Sequence, residues 1–305
     1  MKSEHRDTPA EFAHLALEAT ADGSWTFFSE EFGEAFHSRY GARQEAIGKF
    51  VEPTLLAQKA QTGYLRLLDI CYGLGYNSAA ALETIWSVNP DCRVELVALE
   101  LDRAVPQAAI KFQLHNLWSS SVQTALVALA HTGKLETSTL QATLLPGDAR
   151  QQIQLLAETI QTQAESAFDG IFLDPFSPPH CPQLWTVEFL ALVARCLKPA
   201  GRLATYSCAA SVRTALLLAG LQIGSTAPVG RRSPGTIASF SNIDLPALSL
   251  QEQEHLETKA AIPYRDPDLQ DDAETILKRR QQEQQVSTRG STSHWKKRWS
   301  TLNFS

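Results

Sequence analysis

The sequence predicts an α/β fold in which a mostly parallel, seven-stranded sheet carries an antiparallel hairpin at one edge. Short apolar runs that suit buried strands alternate with helical segments from residue 65 onward. Such alternation is typical of a parallel sheet whose two faces are covered by helices. The last two apolar runs, residues 221–228 and 236–241, have no full helix between them, which indicates an antiparallel pair.

The individual elements follow from local composition. Pro199 and Gly201 stop a helix that starts near residue 183, and Gly220 suits the C-terminal cap of the next helix. Residues 118–138 are rich in Ser, Thr, Ala and Leu, and we expect this insertion to be helical. The first five predicted strands are 65–71, 93–102, 138–148, 168–174 and 202–208, and the other helices are 76–88, 105–117, 149–165 and 209–220.

Two extensions flank the predicted sheet, which gives three regions: 1–60, 61–245 and 246–305. In the first region we expect a short helix or loose arm over residues 1–20, then a β-hairpin from Trp25 to His37. Residues 42–60 look helical, with an interruption at Pro53. The last region is polar, and over residues 270–305 we expect an exposed helix followed by a flexible tail.

Composition excludes several classes of protein. No run of about 18 apolar residues is present, so we expect no membrane span. The first 20 residues lack the apolar core of a signal peptide, which favours a cytoplasmic location. The number of cysteines is five, which is odd, and no C-x-x-C pair occurs, so we expect neither a disulfide framework nor a metal site.

Charge is distributed unevenly along the chain. The net charge is −6, yet residues 278–305 carry seven Lys or Arg side chains against a single acid, Glu283. A basic tail on an acidic body suggests a polyanionic partner, although a solvated terminus would have the same composition. Trp295 and Trp299 lie among these cations and favour nucleic acid, because indole rings stack on bases.

Glycines and acids follow four of the predicted strands, at the sheet edge where open α/β folds bind ligands. Gly residues let a backbone approach a ligand closely, and a carboxylate suits a ribose diol. Two of the acids also have purely structural explanations: Asp148 as a helix N-cap and Glu100 as a solvated strand end. The candidate residues at these four strand ends are Asp69, Gly73, Gly75 and Asn77, then Glu100, then Gly147 and Asp148, and finally Asp174.

Longer motifs carry a resemblance to a known family over roughly residues 20–240. "FLDPFSPPHCPQLW", "DGSWTFFSEEFGEAFHSRYGARQE", "DICYGLGYN" and "GRLATYSCAASVRTALLLAGLQI" resemble the methyltransferase domain of the tRNA 5-methylaminomethyl-2-thiouridine biosynthesis (MnmC-like) proteins. The resemblance implies a Rossmann-like fold, S-adenosylmethionine as cofactor and tRNA, in its anticodon region, as partner. The length suits the stand-alone form without an oxidase domain, so another enzyme would supply the substrate amine.

The reaction that this resemblance implies is methyl transfer to the amine of 5-aminomethyl-(2-thio)uridine at the tRNA wobble position. Asp174 is then the catalytic candidate, which orients the amine and stabilises its charge; whether it also abstracts a proton stays open. The strand-end residues named above, Asp69 to Asp148, would bind the cofactor. The residues expected to bind substrate are His37, Ser38, Tyr40, Phe176, Arg213, Arg231 and Arg232.

The first loop differs from the family pattern at three residues, and three other functions are alternatives to the one that the resemblance implies. Asp69 stands where the family usually has Glu, and Cys71-Tyr72 stand where it has Gly-Phe. An aminopropyltransferase should show a Gly-Gly-Gly-Asp-Gly first loop, which "CYGLGYN" does not match. A dinucleotide site would need a third glycine at position 78, which is Ser78. A tRNA-binding module without catalysis is the third alternative, against which the intact Asp174 and glycines argue.

Overall fold

A computed structural model describes Phe12 and residues 14–230 and 233–302. Its centre is an eight-stranded sheet with the strand order β10-β11-β9-β8-β4-β5-β7-β6. Strands β9, β8, β4, β5 and β7 are parallel, while β10 and β11 form an antiparallel pair at one edge, as predicted. The strands of this sheet are β4 (Tyr64–Ile70), β5 (Arg93–Glu100), β6 (Lys134–Glu136), β7 (Leu140–Pro146), β8 (Phe168–Leu173), β9 (Leu197–Thr205), β10 (Gln222–Ser225) and β11 (Thr236–Ser239).

The sheet has one strand more than the predicted seven, because the insertion at residues 118–138 is not helical throughout. Its helix ends at Gly133, which adopts a left-handed φ of +73° that favours glycine. The chain then reverses, and β6 pairs antiparallel with β7, Leu135 opposite Ala142. A three-residue strand is too short to leave a periodic pattern, which is why the sequence did not reveal it.

Helices cover both faces of the sheet. They are α3 (Tyr76–Val88), α4 (Ala104–Lys111), α5 (Ser120–Thr132), α6 (Ala149–Thr162), α7 (Val187–Arg195) and α8 (Ala210–Leu218), preceded by the short α1 (Ala42–Glu45) and α2 (Leu56–Lys59) and followed by α9 (Leu250–Leu256), α10 (Ala273–Val286) and α11 (Thr292–Leu302). None of the helices in the described ranges is long and apolar enough to cross a membrane.

The apolar core has two halves, one on each face of the sheet. Leu67 packs with α3, α4 and α5, whereas its neighbour Leu68 packs with α6, α7 and α8. Successive side chains of a strand point to opposite faces, so one apolar strand serves both halves of the core. Packing on both faces therefore fixes the position of the parallel strands and of the residues that follow their carboxyl ends.

A small antiparallel sheet precedes the central sheet and consists of β1 (Leu15–Ala19), β2 (Trp25–Ser29) and β3 (Glu34–Ala35). The predicted hairpin is present as β2 and β3. The expected helix or loose arm over residues 1–20 is wrong for β1, which pairs with the whole of β2. The segment after this small sheet is helical as expected, and its stretch Ala46–Val51 is a π-helix.

The C-terminal segment folds back onto the molecule, contrary to the expected flexible tail. Arg280 donates hydrogen bonds to the carbonyl oxygens of Ile262 (2.7 Å) and Ala260 (3.0 Å). Trp295 stacks on His255 with ring centroids 4.0 Å apart, and the Trp299 indole donates to Glu254. Arg280 and both indoles, which pointed to a polyanionic partner, thus hold the tail in place.

Candidate active site

A cavity of about 750 Å³ opens at the carboxyl ends of the parallel strands, beneath the β1–β3 sheet. From the central sheet it is lined by Cys71, Gly73, Glu100 and Asp174. The covering segment contributes side chains between His14 and Phe50. The volume lies within the range of pockets that enclose small organic ligands. Of the predicted strand-end residues, Gly73, Glu100 and Asp174 thus line this cavity, whereas Asp69, Gly75, Asn77, Gly147 and Asp148 do not.

The loop after β4 brings backbone close to this cavity. Gly73 and Gly75 have left-handed φ values of +54° and +80°. A Cβ on Gly75 would lie 2.6 Å from the Tyr72 hydroxyl oxygen, so a larger residue here would displace the Tyr72 side chain. The Gly73 amide donates a 2.7 Å hydrogen bond to Glu100 Oε2, so the glycine loop and the acid at the end of β5 form one unit.

Of the two acids in this region, only Glu100 faces the cavity. Glu100 is buried and also accepts from the Asp102 amide at 3.0 Å; burial raises its pKa to about 7. Asp69 was expected to bind the cofactor, but it is fully buried, away from the cavity wall, and accepts a 2.6 Å hydrogen bond from the Ser78 hydroxyl. Asp69 therefore braces the first turn of α3, and burial raises its pKa to about 7.

The residues after β7 are fixed by the C-terminal segment. The Gly147 amide donates to the Glu100 carbonyl at 2.9 Å, and Asp148 is the N-cap of α6, which confirms the structural alternative for this acid. The Arg150 guanidinium binds the Asp148 carboxylate at 2.8 Å and the fully buried Asp266 at 3.0 Å. Asp266 thus orients the pair from beyond the predicted sheet. Arg150 and Asp266 are 116 residues apart, so no local sequence pattern predicts their contact.

Asp174 lies directly after β8 and lines the cavity. The Asn77 side-chain amide donates a 2.8 Å hydrogen bond to Asp174 Oδ2. Burial raises the pKa of Asp174 well above its usual value, and the Asn77 hydrogen bond acts in the opposite direction. Asn77 was expected to bind the cofactor, whereas its amide group holds the candidate catalytic carboxylate.

Two side-chain hydrogen bonds hold the backbone of the proline-rich loop after Asp174. The Tyr206 hydroxyl donates to the Pro175 carbonyl at 2.9 Å, and the buried Trp185 indole donates to the Phe176 carbonyl at 2.8 Å. Trp185 packs under the loop, so it does not contribute to the cavity wall. Since each proline also fixes its own φ, the loop is a stiff wall of the cavity.

The covering sheet is latched to this loop by residues that the sequence analysis missed. The Glu34 carboxylate accepts from the Ser177 amide at 2.9 Å and from its hydroxyl at 2.5 Å. The Phe32 ring stacks on Phe176 with centroids 4.3 Å apart. Phe32 was the available signal, because it is the one large apolar residue in a turn that otherwise consists of Glu30, Glu31 and Gly33.

Four of the predicted substrate residues line the cavity: His37, Ser38, Tyr40 and Phe176. Burial lowers the pKa of His37 to about 4, so its imidazole is neutral at physiological pH. Tyr40 is about half exposed at 49% and stands at the mouth. Phe176 stacks on Phe32 and also meets Phe36 edge to face, with ring centroids 5.0 Å apart, so its ring is held in an aromatic cluster at the cavity wall.

The expectation for Arg213 is wrong. Its side chain is 2% exposed, forms a 2.8 Å ion pair with Glu252 and donates to Thr236 and to the Gly235 carbonyl. A guanidinium with buried protein partners is not open to a tRNA phosphate. Arg213 instead joins α8 to α9. Arg231 and Arg232, the other two predicted phosphate contacts, lie outside the described residues.

The residues around the cavity fit S-adenosylmethionine. The Glu100 carboxylate suits a ribose diol, and Gly73 places backbone without a side chain in the cavity wall, where a ligand can approach closely. The cavity is also lined by more acids than bases, which suits a cationic sulfonium. Among the described residues, no group of three or more His, Cys, Asp or Glu side chains could hold a metal ion.

Comparison with known proteins supports the same cofactor. A family described as "S-adenosyl-L-methionine-dependent methyltransferase" matches residues 112–241. The crystal structure of MnmC2 from Aquifex aeolicus superposes with a TM-score of 0.77 at 30% sequence identity, covering 90% of this chain and 86% of that one. The Rossmann-like fold that the sequence predicts is therefore confirmed.

Curated relatives extend the comparison. The chain is 30% identical over 220 residues to the tRNA 5-methylaminomethyl-2-thiouridine biosynthesis bifunctional protein MnmC of Acidovorax sp. strain JS42, which covers 68% of this chain and 32% of that protein. It is 27% identical over 277 residues to an uncharacterized protein of Methanocaldococcus jannaschii, covering 88% and 72%. The chain thus spans about a third of the length of the bifunctional relative.

Proposed function

The chain belongs to the MnmC2-like family of S-adenosylmethionine-dependent methyltransferases, and from this premise we propose that it methylates a primary amine on tRNA. The proposed acceptor is 5-aminomethyl-(2-thio)uridine at the wobble position, which becomes the 5-methylaminomethyl form. The bifunctional relative carries this product in its name. Methyl transfer to nitrogen does not create the amine, so the proposal includes a separate reaction that supplies it.

One observation carries the proposal: a partly buried carboxylate, Asp174, is held by the Asn77 amide in the wall of the cavity. A primary amine is mostly protonated at neutral pH, and only its neutral form has a lone pair for attack. Burial raises the pKa of Asp174 and so brings it closer to the pKa of an alkylammonium. The Asp174 carboxylate is therefore a better proton acceptor for the amine.

S-adenosylmethionine, when bound, supplies a methyl group on a positively charged sulfur. The chain's residues must place the acceptor nitrogen in line with the bond that breaks, and they must exclude water. The glycine loop and Glu100 would hold the cofactor, while Asp174 fixes the nitrogen. The Glu34–Ser177 latch keeps the covering sheet over both, and Phe176, which lines the cavity, would contact the uracil.

The test is transfer of labelled methyl from S-adenosylmethionine to two tRNA pools. One pool carries 5-aminomethyluridine at the wobble position, and the other carries unmodified uridine there. We expect label in the first pool only, and digestion to nucleosides should place it on the aminomethyl nitrogen. Equal label in both pools, or none in either with cofactor bound normally, would rule out this acceptor.

A further inference from the structure

A second carboxylate, Glu45, lies in the wall of the same cavity as Asp174. Glu45 is the last residue of α1, is 7% exposed and lines the cavity. Its Oε2 accepts a 3.0 Å hydrogen bond from the Ser38 backbone amide. The negative charge of Glu45 is one of the influences that raise the pKa of Asp174, so the two carboxylates are electrostatic neighbours.

Glu45 is part of a buried ion pair. Lys49 Nζ lies 3.6 Å from Glu45 Oε1, and the two side chains are 2% and 9% exposed. Lys49 belongs to the π-helix Ala46–Val51, and π-helical turns occur frequently at functional sites. Removing two charges from water is costly and seldom stabilises a fold. A buried pair beside a reactive carboxylate is therefore better explained by function than by stability.

The Ser38 hydroxyl completes this part of the wall. Ser38 is 5% exposed and lines the cavity, and its Oγ has no hydrogen-bond partner among the described residues. A buried hydroxyl without a partner loses free energy, so such atoms usually receive a hydrogen bond from a ligand or water. The backbone amide of the same residue already holds Glu45, which places both groups in one corner of the cavity.

We propose that Asp174, Glu45 and the Ser38 hydroxyl form a three-point cradle for the acceptor's primary ammonium, with Glu45 as the residue that selects a cationic acceptor. This inference rests on the proposed function. A primary ammonium has three N–H donors, as the Lys side chain does, and the cradle offers three oxygen acceptors. A neutral hydroxyl acceptor would leave the two carboxylates with only the Lys49 ammonium as a buried counter-charge, so the site discriminates against it.

The cradle also orients the reacting nitrogen. One ammonium proton passes to Asp174, which leaves two N–H bonds held by Glu45 and Ser38 and a lone pair free. The lone pair forms the new N–CH₃ bond while the C–S bond breaks and its electron pair stays on sulfur. Lys49, 3.6 Å from Glu45, limits the negative charge that the two carboxylates present together.

The decisive variant is Glu45→Gln, which keeps the shape and removes the charge. For the wild type we expect 5-aminomethyluridine to inhibit tRNA methylation much more strongly than 5-hydroxymethyluridine. In Glu45→Gln this preference should fall by about tenfold or more, the size of a lost charged hydrogen bond. The dissociation constant for S-adenosylmethionine should stay unchanged. Glu52→Gln, at an exposed position just after the π-helix, is the matched control and should behave as wild type.

If the Glu45→Gln variant does not fold, a second variant can replace it in the test. The double variant Glu45→Gln/Lys49→Met removes both buried charges and should show the same loss of preference. Ser38→Ala removes one hydrogen-bond acceptor. It should weaken inhibition by 5-aminomethyluridine and leave the dissociation constant for S-adenosylmethionine unchanged. A wild type that methylates 5-aminomethyluridine tRNA, with preference retained in folded variants, would overturn the cradle alone. A wild type that leaves this tRNA unmethylated would overturn the proposed function itself.

Discussion

Asn77, the second residue of α3, donates its side-chain amide to the carboxylate of Asp174, which follows β8, at 2.8 Å. The hydrogen bond joins the start of α3, just after the glycine loop, to the carboxylate that we propose contacts the substrate. It also favours the ionised form of Asp174 against the effect of burial. One amide group thus couples the ends of two neighbouring parallel strands, β4 through its loop and β8 through Asp174.

Asn77→Ala should make methyl transfer more dependent on high pH. Loss of the donor raises the pKa of Asp174 further, so the carboxylate is ionised only at higher pH. We expect the acid limb of the single-turnover pH profile to move upward by about one unit, in keeping with a charged hydrogen bond. Asn116→Ala, on the exposed surface, is the control. An acid limb that stays in place would mean that Asp174 does not set it.

Asp69→Asn should stabilise the protein increasingly as pH rises. Burial raises the folded pKa of Asp69 to about 7, so ionisation above the unfolded value, near 3.8, costs stability. The protonated Asp69 carboxyl contributes fully to the stability of the wild type below pH 3.8, and this contribution is lost as pH rises through about 7. The free energy of unfolding of the variant, measured in urea, should therefore rise relative to that of the wild type between pH 4 and 8. Glu165→Gln should show no such trend, and a pH-independent difference would contradict the account.

Cys71 adopts a left-handed conformation, φ +67°, at the position where the resembled family carries glycine. This conformation costs a residue with a Cβ roughly 1–2 kcal/mol, and a β-branched residue more. We expect the free energy of unfolding to decrease in the order Cys71→Gly, wild type, Cys71→Val. Urea denaturation measures this order. A Cys71→Gly variant less stable than wild type would show that thiol packing outweighs backbone strain.

Glu34→Gln should loosen the cover of the cavity. The Glu34 carboxylate accepts two hydrogen bonds from Ser177, and a neutral amide oxygen accepts them more weakly. We expect S-adenosylhomocysteine, the demethylated cofactor, to dissociate about tenfold faster, measured by stopped-flow displacement. Glu30→Gln, an exposed neighbour, is the control. Unchanged release would mean that the latch does not govern access.

Much of the fold and of the site's location could be predicted because the signals are local. Apolar runs mark the parallel strands, and the residues that follow them must meet at one edge of the sheet. Asp174, Glu100 and Gly73 were located in this way, and all three line the cavity.

The roles that depend on distant partners could not be predicted. Arg213 looked like a phosphate ligand until its partner Glu252, 39 residues away, became visible. Asn77 looked like a cofactor contact, but its amide reaches Asp174, 97 residues later. The tail looked mobile because its few apolar residues gave no periodic face, whereas hydrogen bonds from Arg280 and Arg279 to backbone carbonyls hold it. Such polar contacts depend on tertiary structure, which no local pattern encodes.

The most direct test of the central claim is single-turnover methyl transfer by Asp174→Asn with saturating S-adenosylmethionine and tRNA carrying 5-aminomethyluridine. Asn keeps the size and one hydrogen-bonding oxygen but neither the charge nor the ability to take a proton. We predict a rate at least about a hundredfold below wild type, with the cofactor dissociation constant unchanged. A rate equal to that of wild type would contradict the account, because the amine would then be oriented and deprotonated without this carboxylate.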